Sequence, residues 1–217
     1  ILQSIEHKQL IYMLIYHYKL DTALHECARD KRSDVIEMIL DCCVSEKECY
    51  QLLSITDLWG WTPLDYSCIA GDTESGRVIL NHINPDMRYS LLQMRDHLSN
   101  IPIHVASLKG HTDVMKMIHE SVTHTQWINL LHIKGGEEMT ALQTAVYCDK
   151  QSGCIETIRE RVSAEEWINL LSTPLPEYNP RHHFEAPYQR AVSMIDELRT
   201  AARVKSALVI ANQSGEK

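Results

Sequence analysis

Phenylalanine and glycine are scarce in this sequence, and strictly alternating apolar runs are missing. Only one Phe and eight Gly occur among the 217 residues. A strand that packs one face against a core shows alternating apolar and polar residues, so the missing alternation argues against an all-β fold and favours helices. The chain is 44% apolar and 23% charged, which is ordinary for a globular protein and argues against disorder.

Blocks of lysine and arginine are also missing. The 21 Lys and Arg residues are outnumbered by 29 Asp and Glu residues, which gives a net charge of −8. Without a basic block the chain cannot neutralise a line of phosphates, so we expect no nucleic-acid partner. An acidic chain favours protein partners or basic peptides.

Long apolar runs do not occur either. No stretch approaches the ~18 unbroken apolar residues of a membrane helix, and the first residues lack the basic and then apolar order of a signal peptide. We therefore expect no membrane span, and a location in the cytoplasm or on the cytosolic side of a larger protein. Because the sequence has no initiator methionine, we expect it to be a fragment of a longer chain.

The cysteines follow no disulfide framework. Their number is odd and no C-x-x-C pair occurs. We expect all of them to be free thiols in a reducing compartment, where they serve as small apolar residues. The seven are Cys27, Cys42, Cys43, Cys49, Cys68, Cys148 and Cys154.

What the sequence does contain is a unit that occurs four times. Successive copies start 40, 39 and 39 residues apart. Each start is predicted to be a helix N-terminus, three of them with a threonine as the N-cap, and a second helix with an apolar stripe follows. The four starts are Thr22-Ala23-Leu24-His25, Thr62-Pro63-Leu64-Asp65, Ile101-Pro102-Ile103-His104 and Thr140-Ala141-Leu142-Gln143.

A third short helix is predicted in every unit. Three units carry a capping box, in which a Ser or Thr and a Glu or Gln three residues later satisfy each other's backbone N–H groups. The fourth has Asn84-Pro85, which also favours a helix start. These boxes are Ser45 with Glu48, Thr123 with Gln126, and Ser163 with Glu166, and the apolar pairs that follow the four starts are Leu52-Leu53, Leu91-Leu92, Leu130-Leu131 and Leu170-Leu171.

The unit resembles an ankyrin repeat. Pro102, Ile103, His104 and Ala106 match the TPLHxA signature of that family, and Gly110-His111 matches its Gly-His. The resemblance implies an all-α repeat solenoid of stacked helix pairs with projecting hairpin-like fingers, here at 57–61, 96–100 and 135–139. The usual period is about 33 residues, so the third helix accounts for about six extra residues per unit.

The resemblance also divides the chain. Residues 1–20 are expected to be the end of a truncated preceding repeat. Four ankyrin-like repeats follow at 21–60, 61–99, 100–138 and 139–172. Residues 173–217 are expected to be a proline-containing loop and a degenerate C-terminal repeat or capping helices, with frayed last residues. Two repeats depart from the family, because Lys31 and Asp149 stand where glycine is expected.

No catalytic site, cofactor or metal is expected. The resemblance implies a structural role for His25 and His104. Asp65 and Gln143 stand at the same position in the other two units, and a catalytic or metal-binding residue would not be replaced so freely. A metal site at His182-His183 with Glu177 and Glu185 lacks a second ligand cluster. A reactive thiol among Cys42, Cys43 and Cys49, with His132 or His111, lacks the basic surroundings that lower a thiol pKa.

The resemblance implies partner binding through the fingers and the exposed ends of the first helices. Trp59 and Trp61 are the most prominent candidates, although packing onto the adjacent finger would explain them equally well. Ile69, Leu108 and Tyr147 recur at one position and could form an apolar stripe. The candidate partner-binding residues are Leu58, Trp59, Trp61, Ile69, Ala70, His97, Leu98, Asn100, Leu108, Lys109, Met139 and Tyr147.

Three functions are compatible with the sequence. The first is a monomeric protein–protein interaction module, an ankyrin-repeat scaffold that binds a protein or peptide on its concave face and fingers. The second is a cytosolic regulatory ankyrin segment of a larger channel or signalling protein. The third, which has the least support, is a hydrolase that uses Cys and His.

Overall fold

The computed structural model describes residues 21–148, 152–177 and 185–215. The regular secondary structure in these ranges is helical. They form thirteen α-helices and one short 3-10 turn, Gly136–Glu138, and the described ranges contain no strand. The all-helical expectation is therefore confirmed, while the segment 1–20 lies outside the described residues. The helices are α1 Ala23–Arg29, α2 Ser33–Asp41, α3 Glu46–Leu53, α4 Pro63–Ala70, α5 Thr73–Asn81, α6 Pro85–Leu92, α7 Pro102–Lys109, α8 Thr112–Glu120, α9 His124–His132, α10 Ala141–Tyr147, α11 Ser152–Arg159, α12 Ala164–Ser172 and α13 Glu185–Gly215.

Equivalent helices of successive units contact one another. The first helices α1, α4, α7 and α10 pack in that order, each against the next, and the second helices α2, α5, α8 and α11 do the same. Among the third helices, α3 contacts α6 and α9 contacts α12. Each unit thus buries its apolar faces against the neighbouring units as well as within itself.

Hydrogen bonds at the starts of the third helices mostly follow the predicted capping boxes. The Gln126 N–H donates to Thr123 Oγ1 at 3.3 Å and the Thr123 N–H donates to Gln126 Oε1 at 2.9 Å. Ser163 and Glu166 exchange the same two bonds. The box predicted at Ser45 is only half formed, because the Glu48 carboxylate accepts from the N–H of Val44 instead.

The leucine pairs of the third helices are buried. Every leucine of the four pairs is at most 4% exposed. Beside them, Trp127 and Trp167 are also buried. The predicted third helix is therefore an integral part of each unit's core.

The backbone after α1 is strained at Lys31. Gly71 and Gly110 end α4 and α7 in the left-handed conformation, with φ of 68° and 78°, and Lys31 takes the same conformation with φ of 58°. A side chain in this region costs roughly 1 kcal/mol, whereas glycine enters it freely. Asp149, the other departure from glycine, lies outside the described residues.

Replacing Lys31 with glycine is expected to stabilise the protein by about 0.5–1 kcal/mol. The substitution removes the strain, and the greater freedom of glycine in the unfolded chain offsets part of that gain. Urea unfolding of Lys31→Gly and Lys31→Ala would measure it. The alanine variant keeps the Cβ and should gain nothing, so equal midpoints for the two variants would contradict the strain.

The C-terminal part contains one long helix. This helix, α13, runs for 31 residues to Gly215 and packs against α10 and α12. The Arg199 side chain fastens α13 to the preceding unit, because it donates to the carbonyls of Leu171 and Thr173. The helix also continues past the point where frayed residues were expected.

Candidate functional site

Three turns connect the third helix of one unit to the first helix of the next. They span 57–61, 96–100 and 135–139, and we call them the first, second and third finger. A backbone hydrogen bond closes each finger, from the N–H of its first residue to the carbonyl of its last, at 3.0, 2.9 and 2.8 Å. The predicted positions of the fingers coincide with these closed turns.

An aspartate at the base holds each of the first two fingers in shape. Asp57 Oδ1 accepts from the N–H groups of Trp59 and Trp61 at 2.8 and 2.9 Å. Asp96 Oδ1 accepts from the N–H groups of Leu98 and Asn100, both at 2.8 Å. This role of the two aspartates was not predicted, although an aspartate recurs after 39 residues at the same finger position.

Neighbouring fingers are joined to each other. The His97 N–H donates to the carbonyl of Trp59 at 2.9 Å, and the Gly136 N–H donates to Asn100 Oδ1 at 2.8 Å. At Gly60, φ is 77° and an added Cβ would lie 2.9 Å from His97 Cδ2. Glycine therefore serves both the turn and the close approach of the second finger.

Large apolar side chains stand exposed on the first two fingers. Leu58 and Trp59 are 47% and 52% exposed, and Leu98 is 69% exposed. Because the backbone bond between His97 and Trp59 joins these fingers, the three side chains are carried by one connected part of the molecule. Exposed apolar area of this kind marks surfaces that contact other proteins.

Trp61 has a different environment from Trp59. Its ring is half-buried, lies edge-on to Tyr66 with 5.4 Å between the ring centres, and is 5.9 Å from the Trp59 ring. Its Nε1 donates to Asp96 Oδ2 at 3.2 Å. Trp61 therefore connects the first finger to the second, and Trp59 offers the larger free surface.

The other predicted contact residues fall into two groups. His97, Leu108 and Lys109 are exposed, and Ile69, Ala70, Asn100 and Tyr147 are half-buried. Met139 is a correction, because it is only 5% exposed and its side chain offers no surface to a partner. The third finger exposes Glu137 and Glu138 instead, and both residues take the left-handed conformation, with φ of 56° and 57°.

The start of each unit was defined above by four residues. In three units the side chain of the fourth residue donates a hydrogen bond to a backbone carbonyl of a later segment. His25 Nδ1 accepts from the Thr22 N–H, so Nε2 carries the hydrogen and donates to the Trp61 carbonyl at 3.0 Å. His104 donates to the Ile133 carbonyl at 3.0 Å, and Gln143 donates to the Thr173 carbonyl at 3.0 Å.

Both histidines are held neutral by their surroundings. Burial lowers the pKa of His104 to about 4, and burial also lowers the pKa of His25. A neutral ring with one nitrogen accepting and the other donating ties its own helix start to a later segment. This geometry agrees with the structural role that the resemblance implies for the two residues.

Several of the cysteines have the buried surroundings of structural thiols. All seven are free, as the sequence predicts. Burial raises the pKa of Cys154 to about 11 and raises that of Cys43 and Cys49. A nucleophilic cysteine needs the opposite shift, so these surroundings argue against the hydrolase alternative.

The described residues hold no cluster of three metal-ligating side chains. The predicted alternative at His182-His183 lies outside them. In the same part of the chain, none of the helices has the length and hydrophobicity needed to cross a bilayer. The exposed apolar side chains of Leu58, Trp59 and Leu98 make the surface of the first two fingers the candidate functional site.

No protein-family model matches this chain, and the search of curated proteins finds no significant relative.

Proposed function

We propose that this chain is a protein–protein interaction module, built of ankyrin-like repeats stacked into a solenoid. It acts in the cytoplasm or on the cytosolic side of a larger protein. It binds a protein or peptide partner through the exposed side chains of the first two fingers, together with the exposed ends of the first helices.

The stacked arrangement is supported by the contacts between equivalent helices. In a solenoid each repeat contacts its neighbours and buries little surface against distant repeats. The first helices pack in chain order, and so do the second helices. The 39 to 40-residue spacing of the starts and the repeated finger geometry agree with one supersecondary unit used four times.

One observation carries the binding proposal, namely the exposure of Leu58, Trp59 and Leu98 on fingers whose backbones are fixed. Asp57 and Asp96 hold the two turns by two hydrogen bonds each. A partner therefore meets apolar side chains on a preformed backbone, so little ordering free energy opposes binding. A partner with apolar anchors complements this surface.

Replacing Trp59 or Leu98 with alanine is expected to weaken partner binding by about 2 kcal/mol, which is roughly 30-fold in Kd. The measurement starts with affinity capture from the source cells by the wild type and the variants in parallel. Titration with the purified partner then gives each Kd.

Met38→Ala is the matched control. Met38 is an exposed apolar residue on α2, 67% exposed, and it lies outside the fingers. A partner that uses the fingers should bind the wild type and Met38→Ala equally, and should be lost from the two finger variants. Equal retention on all four proteins would overturn the finger surface as the binding site.

A further inference from the structure

Asp65 occupies the position at which the other units carry a hydrogen-bond donor. His25, His104 and Gln143 each donate from this position to a backbone carbonyl of a later segment. An ionised aspartate has no hydrogen to donate. The second unit therefore lacks the bond that this position makes in the other three units.

The two oxygens of Asp65 have different surroundings. Oδ2 accepts from the Thr62 N–H at 2.8 Å and from Thr62 Oγ1 at 2.7 Å. Oδ1 is buried, and no donor reaches it within the described part of the chain. Asp65 itself is only 2% exposed. A negative charge here would leave a buried acceptor without compensation, which is strongly unfavourable.

The nearest charged groups increase that penalty. The pKa of Asp65 is raised to about 7, mainly by burial, and the charges of Asp96 and Asp57 contribute to the rise. The two hydrogen bonds from Thr62 act in the opposite direction without cancelling these effects. Both neighbouring carboxylates are those that hold the first two fingers.

The elements packed against α4 supply no compensating cation to Asp65 among the described residues. Arg29 pairs with Asp21 and Glu26, and Arg77 pairs with Glu120. Lys109 is exposed in the last turn of α7, whereas Asp65 is buried in the first turn of α4. The other titratable groups on these elements carry no positive charge near neutrality. They are His25 and Cys27 on α1, Tyr66 and Cys68 on α4, Asp72 and Glu74 at the start of α5, and His104 on α7.

We infer that Asp65 is protonated in the folded protein up to about neutral pH, because no donor compensates a negative charge on its buried Oδ1, and that ionisation of Asp65 destabilises the packing of the second unit. The protein thereby contains a pH-sensitive buried carboxyl that is coupled by charge to Asp57 and Asp96, the two residues that hold the fingers. This inference concerns stability, so it holds whether or not the fingers bind a partner.

The direction of the pH dependence follows from the raised pKa. Asp65 has a pKa of about 7 in the folded state, against 3.8 for an ordinary aspartate. Its contribution to stability is therefore fully present below about pH 4 and is lost as the pH rises through about 7. The lowered pKa values of His25 and His104 act in the other direction, since their contribution is lost as the pH falls below about 6.5.

Asp65→Asn isolates the contribution of Asp65 from that of the histidines. Asparagine has nearly the same shape, cannot ionise and can donate from its amide. Between about pH 5.5 and about pH 8.5, the unfolding constant of the wild type should rise roughly 30-fold relative to that of Asp65→Asn. Asp86→Asn, which removes an exposed carboxylate from the first turn of α6, should follow the wild type at each pH.

The protonation state is also measurable in the wild type, which keeps the test valid if Asp65→Asn does not fold. With ¹³C-labelled aspartate carboxyls, one resonance should remain in the protonated form at about pH 6, where ordinary aspartates are ionised. Two results would overturn the inference. One is an unfolding constant that changes with pH equally in the wild type and in Asp65→Asn. The other is ionisation of every aspartate below about pH 5.

Discussion

Replacing Leu130 and Leu131 with alanine is expected to lower the free energy of unfolding by about 2–5 kcal/mol for each leucine. Both side chains are 0% exposed, and they belong to α9, beside the fully buried Trp127. Each truncation removes buried apolar volume from a packed core and leaves a cavity. Since a domain is stable by only about 5–15 kcal/mol, the double variant should be largely unfolded.

Urea unfolding of the two single variants measures this loss. Asn129→Ala is the matched control, because Asn129 lies in the same helix and is exposed. That substitution should change stability by less than about 0.5 kcal/mol. Midpoints for Leu130→Ala and Leu131→Ala that equal the control's would show that α9 contributes nothing to the core.

Replacing Trp61 with alanine is expected to lower the free energy of unfolding by about 2–3 kcal/mol. The substitution removes the edge-on contact with Tyr66 and the hydrogen bond from Nε1 to Asp96. The Asp96 carboxylate would then keep its bonds within the second finger and lose its link to the first. We expect a smaller effect than at a fully buried tryptophan, since Trp61 is half-buried.

Trp59→Ala is the matched comparison, because the two tryptophans share one finger. With Trp59 more than half exposed, at 52%, its removal should change stability by less than about 0.5 kcal/mol. Thermal and urea unfolding of both variants give the two values. A larger loss for Trp59→Ala than for Trp61→Ala would reverse the roles we assign to them and would remove Trp59 from the proposed binding surface.

The placement of the helices could be predicted because its signals are local. A capping box such as Thr123 with Gln126 satisfies backbone groups within one turn of helix. A leucine pair such as Leu130-Leu131 indicates which face of that helix is buried, and four copies strengthen the prediction. The left-handed conformation of Lys31 was not predicted, although glycine occupies the same place in two other units and takes that conformation there.

The C-terminal region shows where local signals do not suffice. Residues 173–217 were expected to be a proline-containing loop and a degenerate repeat or capping helices, and local patterns did not decide between these two. The structure has one long helix, α13, packed on α10 and α12. Helix-forming residues indicate that a helix exists, but its partners decide how far it continues.

Local patterns were enough to predict the period, the three helices of each unit, the positions of the fingers and the free cysteines, because caps and apolar spacing act over a few residues. Tertiary packing sets the exposure of Trp59, the partial burial of Trp61 and the burial of Met139. It also gives Asp96 a bond from the preceding finger and leaves Asp65 buried without a cation among the described residues. These properties depend on side chains about one unit away along the chain, and no local pattern encodes which of them come into contact.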